Sequence, residues 1–164
     1  MIVLKIFILL CIIALIAVGI NAIEDCKKSK DKISFREAMD LAELPVVTFY
    51  QGAEKFNFLL DTGSNHSHIS VEAAKRIKGS FTAGDISVQG VGGATPVNEL
   101  INTTLEYRDK SYGICLLVGE HLDDAFKTIK ETTGVTVHGI IGNNFLSDNR
   151  YILDFDEYVA YSKV

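Results

Sequence analysis

Apolar and polar positions divide the chain into three stretches. From Ile6 to Ile20 every residue is apolar or glycine, and with Met1 to Leu4 only Lys5 interrupts the run. That length falls between a signal-peptide core and a membrane-spanning helix, so residues 1–22 are expected to be a transmembrane anchor or a signal peptide. Residues 23–33, "IEDCKKSKDKI", are charged and read as a tether. A short helix over "FREAMDLAEL" comes next, with Ser34 placed to cap it and Pro45 to end it. This tether and helix fill residues 23–43.

From residue 44 the pattern turns mostly β. "PVVTFY" and "FNFLLD" flank "QGAEK", a hairpin with Gly52 in its turn. "SVEAAKRI" predicts a turn or two of helix. "DISVQGVGGATPVNELINTTLEYRD" predicts two strands around a Gly-rich tip, and "YGICLLVG" a buried strand. "HLDDAFKTIKETTG" puts Leu122, Ala125, Phe126 and Ile129 on one helical face, with Gly134 as the stop. "VHGIIGNNFLSD" is expected as a tight apolar loop and "YILDFDEYVAY" as the final strand. The fold class is all-β with short helices, preceded by an N-terminal apolar helix.

Composition narrows the function. The 164 residues carry a net charge of −5 and show no basic patch, which argues against a nucleic-acid partner. The three cysteines, Cys11, Cys26 and Cys115, have neither the even number of a disulfide framework nor the spacing of a zinc site. Cys115, within an apolar strand, is expected to be buried. The four lysines at 27, 28, 30 and 32 lie close behind the apolar run and disfavour translocation of the chain downstream of them. A retained single-pass anchor is therefore the first reading, with secretion or periplasmic release after signal cleavage as the alternative.

The chemistry concentrates at "FLLDTGS", residues 58–64, where an apolar strand delivers Asp61 into Thr62, Gly63 and Ser64. A surface Asp-Gly turn is the plain alternative. The functional reading is a carboxyl that works with a second one: one takes a proton from water while the other protonates the carbonyl of a peptide bond. Two such carboxyls share a proton and titrate as a pair. In this reading Gly63 admits close backbone approach, and Ser64 hydrogen-bonds the outer carboxylate oxygen.

Three motifs carry a family resemblance. "PVVTFYQGAEKFNFLLDTGSNHSHI" resembles the first half of the retroviral-type aspartic proteases, the retropepsins. "VQGVGGATPV", with Gly90, Val91, Gly92 and Gly93, resembles their flap tip. "GIIGNNFL", with Ile140, Ile141, Gly142 and Asn143, resembles their second signature loop. The resemblance spans roughly Leu44 to Val159, so residues 44–164 read as a retropepsin-like protease domain. It implies a closed acid-protease barrel with a flap hairpin, Asp61 as catalytic acid, a peptide or protein substrate, and neither metal nor cofactor. One Asp-Thr-Gly per chain implies a homodimer with Asp61 contributed twice.

The chain departs from that family at two places. Asn65 and His66 replace the acidic residues usual after Asp-Thr-Gly, and Asn143 replaces the arginine usual after the second-signature glycine. Both sides of an ion pair are absent together, so a neutral contact between the loops of Asn65 and Asn143 is expected. Ser64 matches the pepsin-like form and points to activity on the acid side. A non-catalytic dimerising or peptide-binding module at the membrane is the alternative function. His66 and His68, with His121 or His138, are weighed as metal ligands and read instead as solvent-facing side chains.

Overall fold

The computed structural model describes residues 16, 32–90, 93–119 and 122–162. The apolar N-terminal run lies outside these residues apart from Ile16, and so does most of the tether. Among the described residues no helix is long and apolar enough to cross a membrane.

Among the described residues, ten strands and four short helices run in the order β1 (Lys32–Ser34), α1 (Arg36–Ala42), β2 (Val46–Gln51), β3 (Glu54–Leu60), β4 (Ser67–Ile69), α2 (Val71–Ala74), β5 (Ser80–Gly90), β6 (Gly93–Tyr107), β7 (Lys110–Val118), α3 (Asp123–Thr133), β8 (Gly139–Ile141), α4 (Asn143–Asp148), β9 (Tyr151–Asp154) and β10 (Val159–Ser162). Seven strands form one sheet in the order β2-β3-β8-β4-β7-β6-β5. β2, at one edge, also pairs with β6 through Tyr50 and Glu106, which closes the sheet into a barrel. β1, β10 and β9 make a separate three-stranded sheet.

The strand pattern has a direct physical origin. In β3, Phe56, Phe58 and Leu60 alternate inward, and the antiparallel register with β2 sets Phe49 opposite Phe56. Gly52 turns this hairpin at φ +60°, a left-handed conformation that a Cβ disfavours. Phe49 is fully buried and meets Phe58, Tyr107, Tyr112 and Phe145 edge-on, with ring centroids 5.9–6.1 Å apart. Phe145 lies on α4, so the helix after the second signature is anchored directly in the aromatic core.

A second, smaller core explains α3. Phe126 is buried with Val46, Val137 and Ile140, and Leu122 and Ile129 pack against them, while Ala125 is exposed. Gly134 stops the helix at φ +77°, and its N–H donates to Lys130 O.

Several expectations change. "VHGIIGNNFLSD" is not a loop: it is β8, buried on both faces between β3 and β4, followed by α4. The final strand is a hairpin. Asp154 Oδ1 accepts the N–H groups of Asp156 and Glu157, each at 3.0 Å, and folds the chain back between β9 and β10. Ser34 is not the N-cap residue of α1, although its Oγ accepts the Arg36 N–H at 3.4 Å. It belongs to β1, and Phe35 occupies the cap position without a side-chain hydrogen bond. β1 pairs with β10, and Ile33 and Phe35 are in the main core, so packed structure begins upstream of residue 44. Cys115 is exposed: β7 alternates, with Tyr112, Ile114 and Leu116 inward and Cys115 outward.

Candidate active site

β3 ends at Leu60 and hands the chain to Asp61, while β8 runs parallel beside it with Leu60 opposite Ile141. Asp61 N–H donates to Ile141 O at 3.0 Å, which continues the ladder one residue past the strand. Asp61 is half-buried, and its Oδ1 accepts the Gly63 N–H at 2.8 Å. Ser64 N–H donates to Asp61 O at 3.2 Å, so the turn closes on itself. A Cβ on Gly63 would lie 3.1 Å from Asp61 Oδ1, tight against the carboxylate.

The second signature loop is bound to this turn by neutral hydrogen bonds. Asn143 Nδ2 donates to Thr62 O at 2.7 Å, and Asn143 N–H donates to Ser64 O at 2.8 Å. Asn144 N–H donates to Asn65 O at 3.2 Å. The first N–H groups of α4, which have no partner inside the helix, are thus satisfied by carbonyls of the Asp61 turn. Gly142 N–H donates to Ser67 Oγ at 3.1 Å, and Ser67 Oγ donates to Asn144 Oδ1 at 2.8 Å. The expected neutral contact between the two loops is present. Its side-chain amide is that of Asn143, and Asn65 contributes its backbone carbonyl.

Gly142 permits this approach. A Cβ there would stand 2.4 Å from His66 O and 2.8 Å from Ser64 O, both backbone atoms. Ile140 and Ile141, the preceding residues, face different cores: Ile140 packs with Phe126 and Ile141 with the main cluster. Alternation along three residues of β8 therefore ties the loop to both halves of the interior.

One side chain departs from its expected role. Ser64 Oγ donates to His66 O at 2.7 Å, a bond within the turn, and not to Asp61. Gly90 and Gly93 pair at the end of the β5–β6 hairpin, while Val91 and Gly92, at its tip, lie outside the described residues. β4 begins at Ser67, so only His68 is in a strand; it is buried, not solvent-facing, and His66 is exposed. Among the described residues no group of three His, Cys, Asp or Glu side chains is placed to hold a metal. A cleft of about 860 Å³ runs along β2 from Val46 into the turn at Gly52, with Ala38 of α1 and Val135 also lining it, and Asp61 does not line it.

Ser67 and Asn144 were not singled out by the motifs. Ser67 is fully buried and joins both sides of the junction, but a serine entering a strand carries no sequence mark of that role. Asn144 is the second asparagine of "GNN", and its position at the start of α4 is the one signal that could have found it.

A sequence profile described as aspartyl protease matches residues 46–145. No curated protein matches the chain. Among solved structures, EIAV protease complexed with the inhibitor HBY-793 is similar at 22% identity and a TM-score of 0.48, covering 66% of this chain and 90% of that one.

Proposed function

The chain belongs to the aspartyl protease family, and from that premise we propose that it is a homodimeric endopeptidase of the retroviral type. The observation that carries the proposal is the Asp61 turn locked to the Gly142–Asn144 junction, in a chain with a single Asp-Thr-Gly. A rigid mount holds one half-buried carboxyl outside the large cleft, and a second copy supplies the other. The outer edge of β9 pairs with no strand among the described residues, which supports docking of a partner beside α4.

In this mechanism one Asp61 carboxylate takes a proton from water, whose oxygen attacks the peptide carbonyl. The protonated Asp61 of the other copy gives its proton to the carbonyl oxygen. Collapse of the hydrated carbonyl breaks the C–N bond, and the amine leaves with a proton. Thr62, Gly63 and Ser64 hold the acid through their backbone. The β5–β6 hairpin, with Gly90, Val91, Gly92 and Gly93 at its end, covers an extended substrate by strand addition. The apolar run 6–20 supports membrane attachment of the domain.

The test is the full chain incubated with a diverse peptide library between pH 4 and 8, beside Asp61→Asn, with dimer content measured by sedimentation. We expect cleavage on the acid side, loss of at least about 100-fold in the variant, and an unchanged dimer. Equal cleavage by Asp61→Asn, or cleavage by a strictly monomeric protein, refutes the mechanism.

A further inference from the structure

β8 is three residues long, yet it carries the second half of the catalytic mount. Its parallel pairing with β3 runs from Phe58 opposite Gly139 to Leu60 opposite Ile141, and the next residues are Asp61 and Gly142. The other end of this short ladder is finished by His138. Its N–H donates to Asn57 O at 2.8 Å and its carbonyl accepts from Ser70 N–H at 2.9 Å. Its ring Nδ1 accepts the Asn57 N–H at 2.9 Å. An imidazole thus stands where a strand carbonyl ordinarily stands.

We infer that His138 is a pH-sensitive positioning residue for the Asp61 turn: neutral, it holds β8 against β3, and protonated, it releases Asn57 and loosens the strand pair behind Asp61. Accepting the Asn57 N–H requires a lone pair on Nδ1, so the ring is neutral with its proton on Nε2. Protonation puts a hydrogen on Nδ1, facing another hydrogen. The bond is then lost, the ring turns away, and the amide is left without its acceptor. Asn57 stays tied otherwise, since its Nδ2 donates to Thr136 O at 2.7 Å and its Oδ1 accepts from Thr48 Oγ1 at 2.9 Å. The titrating element is therefore one bond, four positions before Asp61 along β3.

The surroundings set where the latch opens. Partial burial lowers the His138 pKa from its ordinary value of 6.5, and the cations Arg76, just past α2, and Lys130, on α3, lower it further. The Phe56 ring of β3 packs edge-on at 6.0 Å. Glu54, also on β3, is paired with Arg76 at 3.2 Å. On β4, the other strand beside β8, the titratable group is the buried His68. The latch is closed at neutral pH and opens on the acid side.

The inference rests on the peptidase reading only for what the loosened turn does to cleavage. The test is amide hydrogen exchange of the full chain from pH 7.5 to 4.5, with peptide cleavage measured in the same samples. Protection of the Asn57 amide, relative to its intrinsic rate, is expected to fall by up to about tenfold per pH unit through the His138 titration. Amides in the β6–β7 pairing serve as the control and stay protected. His138→Asn offers an acceptor that does not titrate, so its profile is flat; His138→Phe loses Asn57 protection at every pH. A flat profile in the wild type, or an unchanged slope in His138→Asn, overturns the inference. Should the variants not fold, the ring ¹⁵N shifts of the wild type decide, and a proton on Nδ1 at pH 7.5 overturns it. Asn57 protection that varies with pH, without cleavage at any pH, refutes the peptidase reading and leaves the latch standing. Cleavage with flat protection does the reverse.

Discussion

Gly142→Ala adds one methyl group at the closest approach between the two halves of the site. The new Cβ would lie 2.4 Å from His66 O, 2.6 Å from His66 C and 2.8 Å from Ser64 O. All three are backbone atoms of the Asp61 turn, so no side chain can swing aside. To bring the closest contact beyond 3.0 Å the turn must retreat from β8 by at least about 0.6 Å. The same movement stretches the bonds from Asn143 to Thr62 O and Ser64 O, and from Gly142 N–H to Ser67 Oγ. Overpacking of this kind costs about 1–3 kcal/mol, and the three hydrogen bonds, lengthened but not lost, together add about 1 kcal/mol. A net loss of about 2–4 kcal/mol is expected, which lowers the urea midpoint by about 1–2 M for a domain of this size. Because the displaced backbone carries Asp61, peptide cleavage by the variant that remains folded should fall by about 100-fold. The assay is a urea titration monitored by circular dichroism, paired with cleavage kinetics well below the midpoint. A Gly142→Ala protein with the parental midpoint and parental kcat refutes the claim that this contact positions the acid.

Ser67→Ala leaves the Gly142 N–H and Asn144 Oδ1 without their shared partner in a buried place, and should cost about 2–4 kcal/mol in the same urea titration. The outward Cys115 thiol should react with a maleimide in the folded protein, as read by peptide mass mapping, and Cys115→Ser should change stability by no more than about 0.5 kcal/mol. His138 also makes stability depend on pH. Its folded pKa lies below its unfolded one, so the unfolded chain binds the proton first as pH falls. Its contribution is fully present above the unfolded pKa of about 6.5 and is lost as pH falls from there toward the folded pKa. Urea midpoints measured from pH 7.5 downward should show that decline, and His138→Asn should remove that part of it.

Much of the mount of Asp61 is local, and locality made it legible. The alternation of Phe56, Phe58 and Leu60, the turn at Gly52 and the run into Asp61 depend on neighbours in sequence, so period and turn chemistry reveal them. The neutral contact between the loops of Asn65 and Asn143 was legible too, because the two charges of an ion pair tend to be lost together. Elsewhere the local signal misled. "VHGIIGNNFLSD" has too few residues to show a period, and only its insertion between β3 and β4 makes Gly139–Ile141 a strand. The outward face of Cys115 comes from the alternation of β7, which its apolar composition conceals. Ser64 bonds within its own loop, its hydroxyl donating to the His66 carbonyl.

The residue types at Asp61–Ser64 and Gly142–Asn143 were determined by sequence alone, and with them the kind of chemistry this protein is equipped for. What brought them together was the parallel pairing of β3 with β8, a contact across some eighty residues of chain. Ser67, Asn144 and His138 acquire their roles only from that pairing. A hydroxyl, an amide and an imidazole are each common in any sequence. Which backbone group each one meets is decided by strands that do not adjoin along the chain.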